Sequence, residues 1–190
     1  MQGLFIIHSF NGNTKNSFGP YLVEKCTALG LNVIFPDFPT GENANYRDWS
    51  KIMDQYLLDG TLNSDSIIIA HSLGAHFIPK YIAEKGVKIE TYISCAGFIN
   101  KTHEENSFDK IMNDFLPTES QIEKDTLLMK YRYSIYSDND PISSLKELEY
   151  YADCLKAEKI FIPDMGHFGP KSNVKELPEA LEIIKKHILN

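Results

Sequence analysis

Positive charge is in short supply in this chain of 190 residues: 19 Lys and Arg stand against 26 Asp and Glu, a formal net charge of -7. That balance disfavours nucleic acid or an anionic membrane as partner, because phosphate binding depends on clustered basic side chains. Cysteine is scarcer still. Cys26, Cys95 and Cys154 lie far apart with no CxxC pair, so neither a disulfide framework nor a thiolate metal site is indicated. Each is expected to behave as a small buried hydrophobe in a reducing compartment. Long apolar runs are missing too. The opening MQGLFIIHSF has no basic stretch and only four consecutive apolar residues, Leu4 to Ile7, far below the roughly 18 of a membrane span. The phosphate-binding patterns GxxxxGK[ST] and GxGxxG do not occur, which weakens a nucleotide-binding reading. At 43% hydrophobic and 24% charged, the composition is that of a soluble globular protein, expected in the cytoplasm as one domain over 1–190. A chain of this length can build a full core without disulfide or metal staples.

What is present is a sequence of short apolar runs: Leu4 to Ile7, Leu31 to Phe35, Ser66 to Ala70, Glu90 to Cys95, Tyr131 to Tyr136 and Lys159 to Ile162. Several are continuous in Ile, Val and Phe rather than alternating, as parallel strands covered on both faces require. Segments with helical spacing fall between them, at 18–29, 46–58 and 73–86, with a last helix from Val174 to Leu189. Gly86 is placed to cap the third, and Pro79 in its second turn to bend it. Strand followed by helix, repeated, predicts a three-layer α/β/α sandwich around a mostly or fully parallel six-stranded sheet. The least patterned stretch is 98–126. It is expected to hold a short helix around Asp109 to Phe115 and to lie over the carboxyl edge of the sheet, where a substrate pocket forms in such folds. A solvated loop with no role in binding is the competing reading.

The densest chemical signal is SIIIAHSLGAHF, residues 66–77. A buried strand runs straight into Ser72, a helix starts immediately after, and small residues, Ala70 and Gly74, stand two places to either side. That is the pattern of a nucleophile elbow, which lets strand and helix approach closely while the serine hydroxyl points out of the sheet. The bland alternative is that Ser72 caps the helix.

A serine hydroxyl needs a base to take its proton, and the base needs a third group to fix its tautomer. The order expected in this architecture is serine, acid, histidine. Asp138 and Asp140 follow the fifth strand and His167 the sixth. Asp140 is preferred because Pro141 and Ile142 turn and anchor the chain behind it, leaving Asp138 as a turn or solvated residue. Asp164 is a more distant candidate. Among the other histidines, His71 should point away from Ser72, His76 should be packed, His103 and His187 should be at the surface, and His8 should shape the loop after the first strand. That loop, 8–20, would supply one oxyanion donor, the N–H of Phe10, and the start of the helix after Ser72 the other, the N–H of Leu73. Phe10, Phe98, Ile99, Ile142 and Phe168 are candidates for an apolar pocket, with core packing as the alternative for some of them.

The opening strand ending in His8, the Phe35-Pro36 exit with Pro39 and Trp49 downstream, AHSLGA at 70–75, SDNDPIS at 137–143 and PDMGHFG at 163–169 together resemble the small serine hydrolases related to retinoblastoma-binding protein 9 and their bacterial relatives. The resemblance extends over most of the chain. It implies a minimal α/β-hydrolase fold without a large cap domain and casts Ser72, Asp140 and His167 as the catalytic triad. Two positions depart from the wider pattern: His8-Ser9 stands where many α/β hydrolases have His-Gly, and Ala70 replaces the first elbow glycine. Both bear on oxyanion geometry and neither removes a catalytic side chain. The expected function is cleavage of a small ester, thioester or amide through an acyl-enzyme, esterase-like in character, with a small molecule or short peptide as substrate and no metal or organic cofactor. A peptidase or acyltransferase with the same triad, and a binding protein on a hydrolase scaffold, are the alternatives.

Overall fold

The computed structural model describes residues 2–99 and 107–188, so His103 and Leu189 lie outside the described residues. Six strands form one sheet: β1 (Gly3–Ile7), β2 (Asn32–Ile34), β3 (Ile67–His71), β4 (Ile89–Cys95), β5 (Met129–Tyr136) and β6 (Glu158–Phe161). Their order is β2-β1-β3-β4-β5-β6, and every neighbouring pair is parallel. Each strand falls on one of the expected apolar runs. The runs read as continuous because both sheet faces are covered. Phe5, Ile7, Ile68 and Ala70 point into one core with α2 (Tyr46–Leu58), α3 (Leu73–Lys85), α4 (Ser107–Phe115), α5 (Glu119–Leu128) and α6 (Leu145–Cys154). Leu4, Ile6, Ile67 and Ile69 point into the other with α1 (Gly19–Ala28) and α7 (Pro178–Lys186). Trp49, Phe77, Leu22 and Ile6 are among the large side chains fully buried there, each contributing roughly 1.5–3 kcal/mol by leaving water.

The strand order places a switch between β1 and β3. Chain leaving β1 crosses one face to β2, and chain leaving β3 crosses the other to β4. The chain therefore leaves β1 and β3 toward opposite faces at the carboxyl edge, the usual ligand position in such sheets.

Two helices go beyond the sequence expectation. The stretch 98–126 holds the expected short helix, which begins at Ser107, but also α5, started by a reciprocal capping box between Thr118 and Gln121. Residues 107–126 are therefore mostly helical rather than loop. Another capping box, Ser144 with Glu147, starts α6. Gly86 caps α3 as expected, in the left-handed region at φ 67.

Pro79 sits inside α3 and carries no N–H for the carbonyl four residues back, that of Ala75. Two buried hydroxyls replace it. Tyr92 of β4 donates to the Ala75 oxygen at 2.9 Å and Tyr151 of α6 at 2.5 Å. The first turn of α3 is thereby tied to the sheet and to α6.

Candidate active site

β3 delivers the chain to Ser72 fully buried, and α3 leads it away at once. Ser72 sits at φ 52 and ψ -112, a conformation costly for any residue with a side chain. The neighbours hold it there: the Ser72 N–H donates to the Cys95 carbonyl at 2.9 Å, and the Ser72 carbonyl accepts from Ala75 N–H at 2.8 Å. Gly74 is required by close approach, since a Cβ there would stand 2.8 Å from the His8 carbonyl oxygen and from Ile7 Cγ2. Ala70 is accommodated. Its methyl is fully buried while its backbone pairs with Ile7 and Ser94 in register.

Ser72 Oγ does not cap α3. It lies 2.8 Å from His167 Nε2, and His167 Nδ1 lies 2.6 Å from Asp140 Oδ2. The arrangement fixes the tautomer: Nδ1–H donates to the carboxylate, leaving Nε2 to accept from the hydroxyl. The second Asp140 oxygen, Oδ1, accepts the N–H groups of Ile142 at 2.8 Å and Ser143 at 3.2 Å, so the residues after Pro141 orient the acid through their backbone. The Asp140 side chain is wholly buried and that of His167 is 13% exposed, which keeps bulk water from competing for either bond.

Of the backbone donors, neither Phe10 N–H nor Leu73 N–H gives a hydrogen bond to a described residue, whereas the Phe10 carbonyl is taken by Gly41 N–H at 2.9 Å. The loop that carries Phe10 passes beside the start of α3, as the Gly74 contacts with Ile7 and His8 require. The Phe10 ring meets Phe108 of α4 edge-on at 5.0 Å. Phe98 is buried with His76 across its ring, Ile99 is half-buried and Ile142 is largely exposed beside Asp140. Phe168 goes elsewhere. It is fully buried in the core shared with α1 and α7, so it packs beneath the site and does not wall a pocket.

The other described histidines make contacts of their own away from Ser72. His8 donates from Nδ1 to the Ser9 carbonyl at 2.8 Å and accepts Phe38 N–H at Nε2, 3.1 Å away, a pattern only the neutral ring can make. Burial pulls its pKa below the ordinary value. His71 donates from Nε2 to the His167 carbonyl at 2.7 Å, and burial, with His167 nearby, drops its pKa to about 3. His76 is also dropped to about 3 by burial. His187, expected at the surface, is partly exposed there, packing on the exposed Tyr131 and meeting Tyr133 Oη at 2.8 Å. Asp138 lies exposed in a turn, as expected, and its Oδ1 also accepts Asp164 N–H from the histidine loop at 3.1 Å. Among the described residues, no three His, Cys, Asp or Glu side chains converge as a metal site would require, and no helix is long and apolar enough to cross a membrane.

A parallel six-stranded sheet between helical layers, a strained serine after its third strand and no large cap domain define a minimal α/β hydrolase. The sequence profile of the serine hydrolase family matches residues 4–186, and the chain belongs to that family of enzymes. It is similar to the YdeN protein of Bacillus subtilis (strain 168), 22% identical over 189 residues that cover 97% of this chain and 95% of that one. The crystal structure of the B. subtilis ydeN product superimposes with a TM-score of 0.85, covering 98% of each chain at 20% identity. Est1E from Butyrivibrio proteoclasticus, in its complex with ferulic acid, gives a TM-score of 0.72 at 16% identity over 97% of this chain and 90% of that one. At these identities the structural likeness carries the fold.

Proposed function

We propose that the protein is an esterase-like serine hydrolase that cleaves a small carboxylic ester or thioester, or an amide, with Ser72 as nucleophile, His167 as general base and Asp140 as orienting acid. The observation that carries this is the unbroken chain from Ser72 Oγ to His167 at 2.8 Å and from His167 to Asp140 at 2.6 Å, built on a strained elbow. Ser72 Oγ attacks the carbonyl carbon as its proton passes to His167 Nε2, and Asp140 stabilises the imidazolium that forms. The N–H groups of Phe10 and Leu73 take the oxyanion. His167 then protonates the leaving alcohol, thiol or amine, and next removes a proton from the water that releases the acyl group.

The apolar residues Phe10 with Phe108, Phe98, Ile99 and Ile142 at the carboxyl edge of the sheet suit a short alkyl or aryl acyl group. Est1E, which binds ferulic acid, gives that choice a parallel. The motifs at 70–75, 137–143 and 163–169 support kinship with the proteins related to retinoblastoma-binding protein 9. The unpaired cysteines fit a reducing, cytoplasmic setting, and residues 1–190 act as one domain. A panel of p-nitrophenyl esters from acetate to octanoate, with aryl esters alongside, tests the proposal. Turnover of short or aryl esters that Ser72→Ala abolishes supports it. Turnover unchanged in a folded Ser72→Ala protein overturns it.

A further inference from the structure

We infer that the three residues preceding Asp140 are positioning residues, with Asn139 foremost, and that they set the angle at which His167 reaches Ser72. The inference rests on the triad reading above. Three consecutive N–H groups of the histidine loop are gripped by three consecutive side chains of the acid loop. Asp164 N–H donates to Asp138 Oδ1 at 3.1 Å, Met165 N–H to Ser137 Oγ at 2.9 Å and Gly166 N–H to Asn139 Oδ1 at 2.6 Å. The buried Ser137 hydroxyl donates in turn to Asn139 Oδ1 at 3.1 Å, which joins the grips into one unit.

The histidine loop has reason to need such a unit. Asp164, Gly166 and Phe168 all have positive φ, at 61, 54 and 54, and two of the three are not glycine. Backbone alternating into the left-handed region turns successive N–H groups to one side and makes a concave nest for oxygen acceptors. Here the acceptors come from the acid loop itself. Asp140 holds the imidazole while its three predecessors hold the backbone just upstream of that ring, so one short segment sets both ends of the His167 arm. Downstream, Ser17 Oγ donates to the Phe168 carbonyl at 2.7 Å and closes the other side. Asp138 and Asn139 are exposed, so truncating Asn139 opens no hole in the core.

The test compares wild type, Asn139→Ala and Asn139→Asp by p-nitrophenyl acetate hydrolysis and by the rate of fluorophosphonate labelling. Asn139→Ala is expected to lower kcat and the labelling rate roughly 10- to 100-fold, the scale of a misplacement of about an ångström, with KM unchanged. Asn139→Asp keeps an acceptor for Gly166 N–H and is expected to recover most of the rate. Its added negative charge near His167 should move the acidic limb of the pH–rate profile upward. Wild-type kcat in Asn139→Ala, or activity lost only in proportion to folded protein, overturns the inference. An unreactive wild type refutes the triad reading instead. The low-field proton resonance of His167 Nδ1 then decides this one: displacement in Asn139→Ala supports positioning, and an unmoved resonance overturns it.

Discussion

Replacing Asp125 with Asn should make the protein more stable at neutral pH, and the gain should grow with pH. Asp125 lies on the inward face of α5, is fully buried, and among the described residues neither carboxyl oxygen has a hydrogen-bond partner. Burial pushes its pKa from 3.8 to about 8. The unfolded chain releases this proton near 3.8 while the folded chain keeps it, so stability is fully present below the unfolded value and declines as pH rises toward 8. At pH 7, about 3 pH units above the unfolded value, the cost is about 4 kcal/mol at 1.36 kcal/mol per unit. Asparagine carries no such titration, and its unpartnered amide resembles the neutral carboxyl in desolvation cost. The variant should therefore gain about 2–4 kcal/mol at pH 7, or about 10 °C in melting temperature for a chain of this size. The difference should almost vanish near pH 4. Urea unfolding of both proteins from pH 4 to 8.5 measures it, and subtracting the two curves isolates this one group. A constant difference across that range, or a variant less stable at pH 8 than wild type, would refute the assignment of Asp125 as a buried, unpaired acid.

Gly74→Ala should cost about 1–3 kcal/mol and slow labelling of Ser72, because the new Cβ pushes on the His8 carbonyl; urea unfolding and fluorophosphonate kinetics measure the two effects. Tyr151→Phe should cost about 1 kcal/mol, and less in a Pro79→Ala background, where residue 79 regains the N–H that the Ala75 carbonyl lacks. A double-mutant cycle showing no coupling would contradict that account of the helix. Asp140→Asn should keep its circular dichroism spectrum and lose about 10⁴-fold in kcat, as expected when the orienting acid no longer fixes the histidine tautomer.

The sheet and the candidate triad were legible because their determinants are local. Continuous runs such as Ile67 to Ala70 announce strands covered on both faces, and small residues two places to either side of Ser72 announce the turn. Helix α5 was obscured because its buried face carries Asp125 one turn after Ile122 while Leu127 is exposed, which breaks the apolar period. Its capping box, Thr118 with Gln121, was nonetheless there to be read. So was α6, where Ser144 and Glu147 precede a buried stripe of Leu148, Tyr151, Ala152 and Leu155. The grip of residues 137–139 on the histidine loop was out of reach, because it joins segments 26 to 28 residues apart through backbone N–H groups that leave no side-chain signature. Phe168 was misread as a pocket candidate for a related reason. Its positive φ turns the ring into the core while its neighbour His167 faces Ser72.

The most direct measurement is intact-mass and peptide mapping after treatment with a fluorophosphonate, on wild type and on Ser72→Ala shown to be folded. The account predicts one adduct, on Ser72, absent from the variant. A folded wild type that takes up neither the fluorophosphonate nor a smaller sulfonyl fluoride, or a label carried on another residue and retained in the variant, would contradict it.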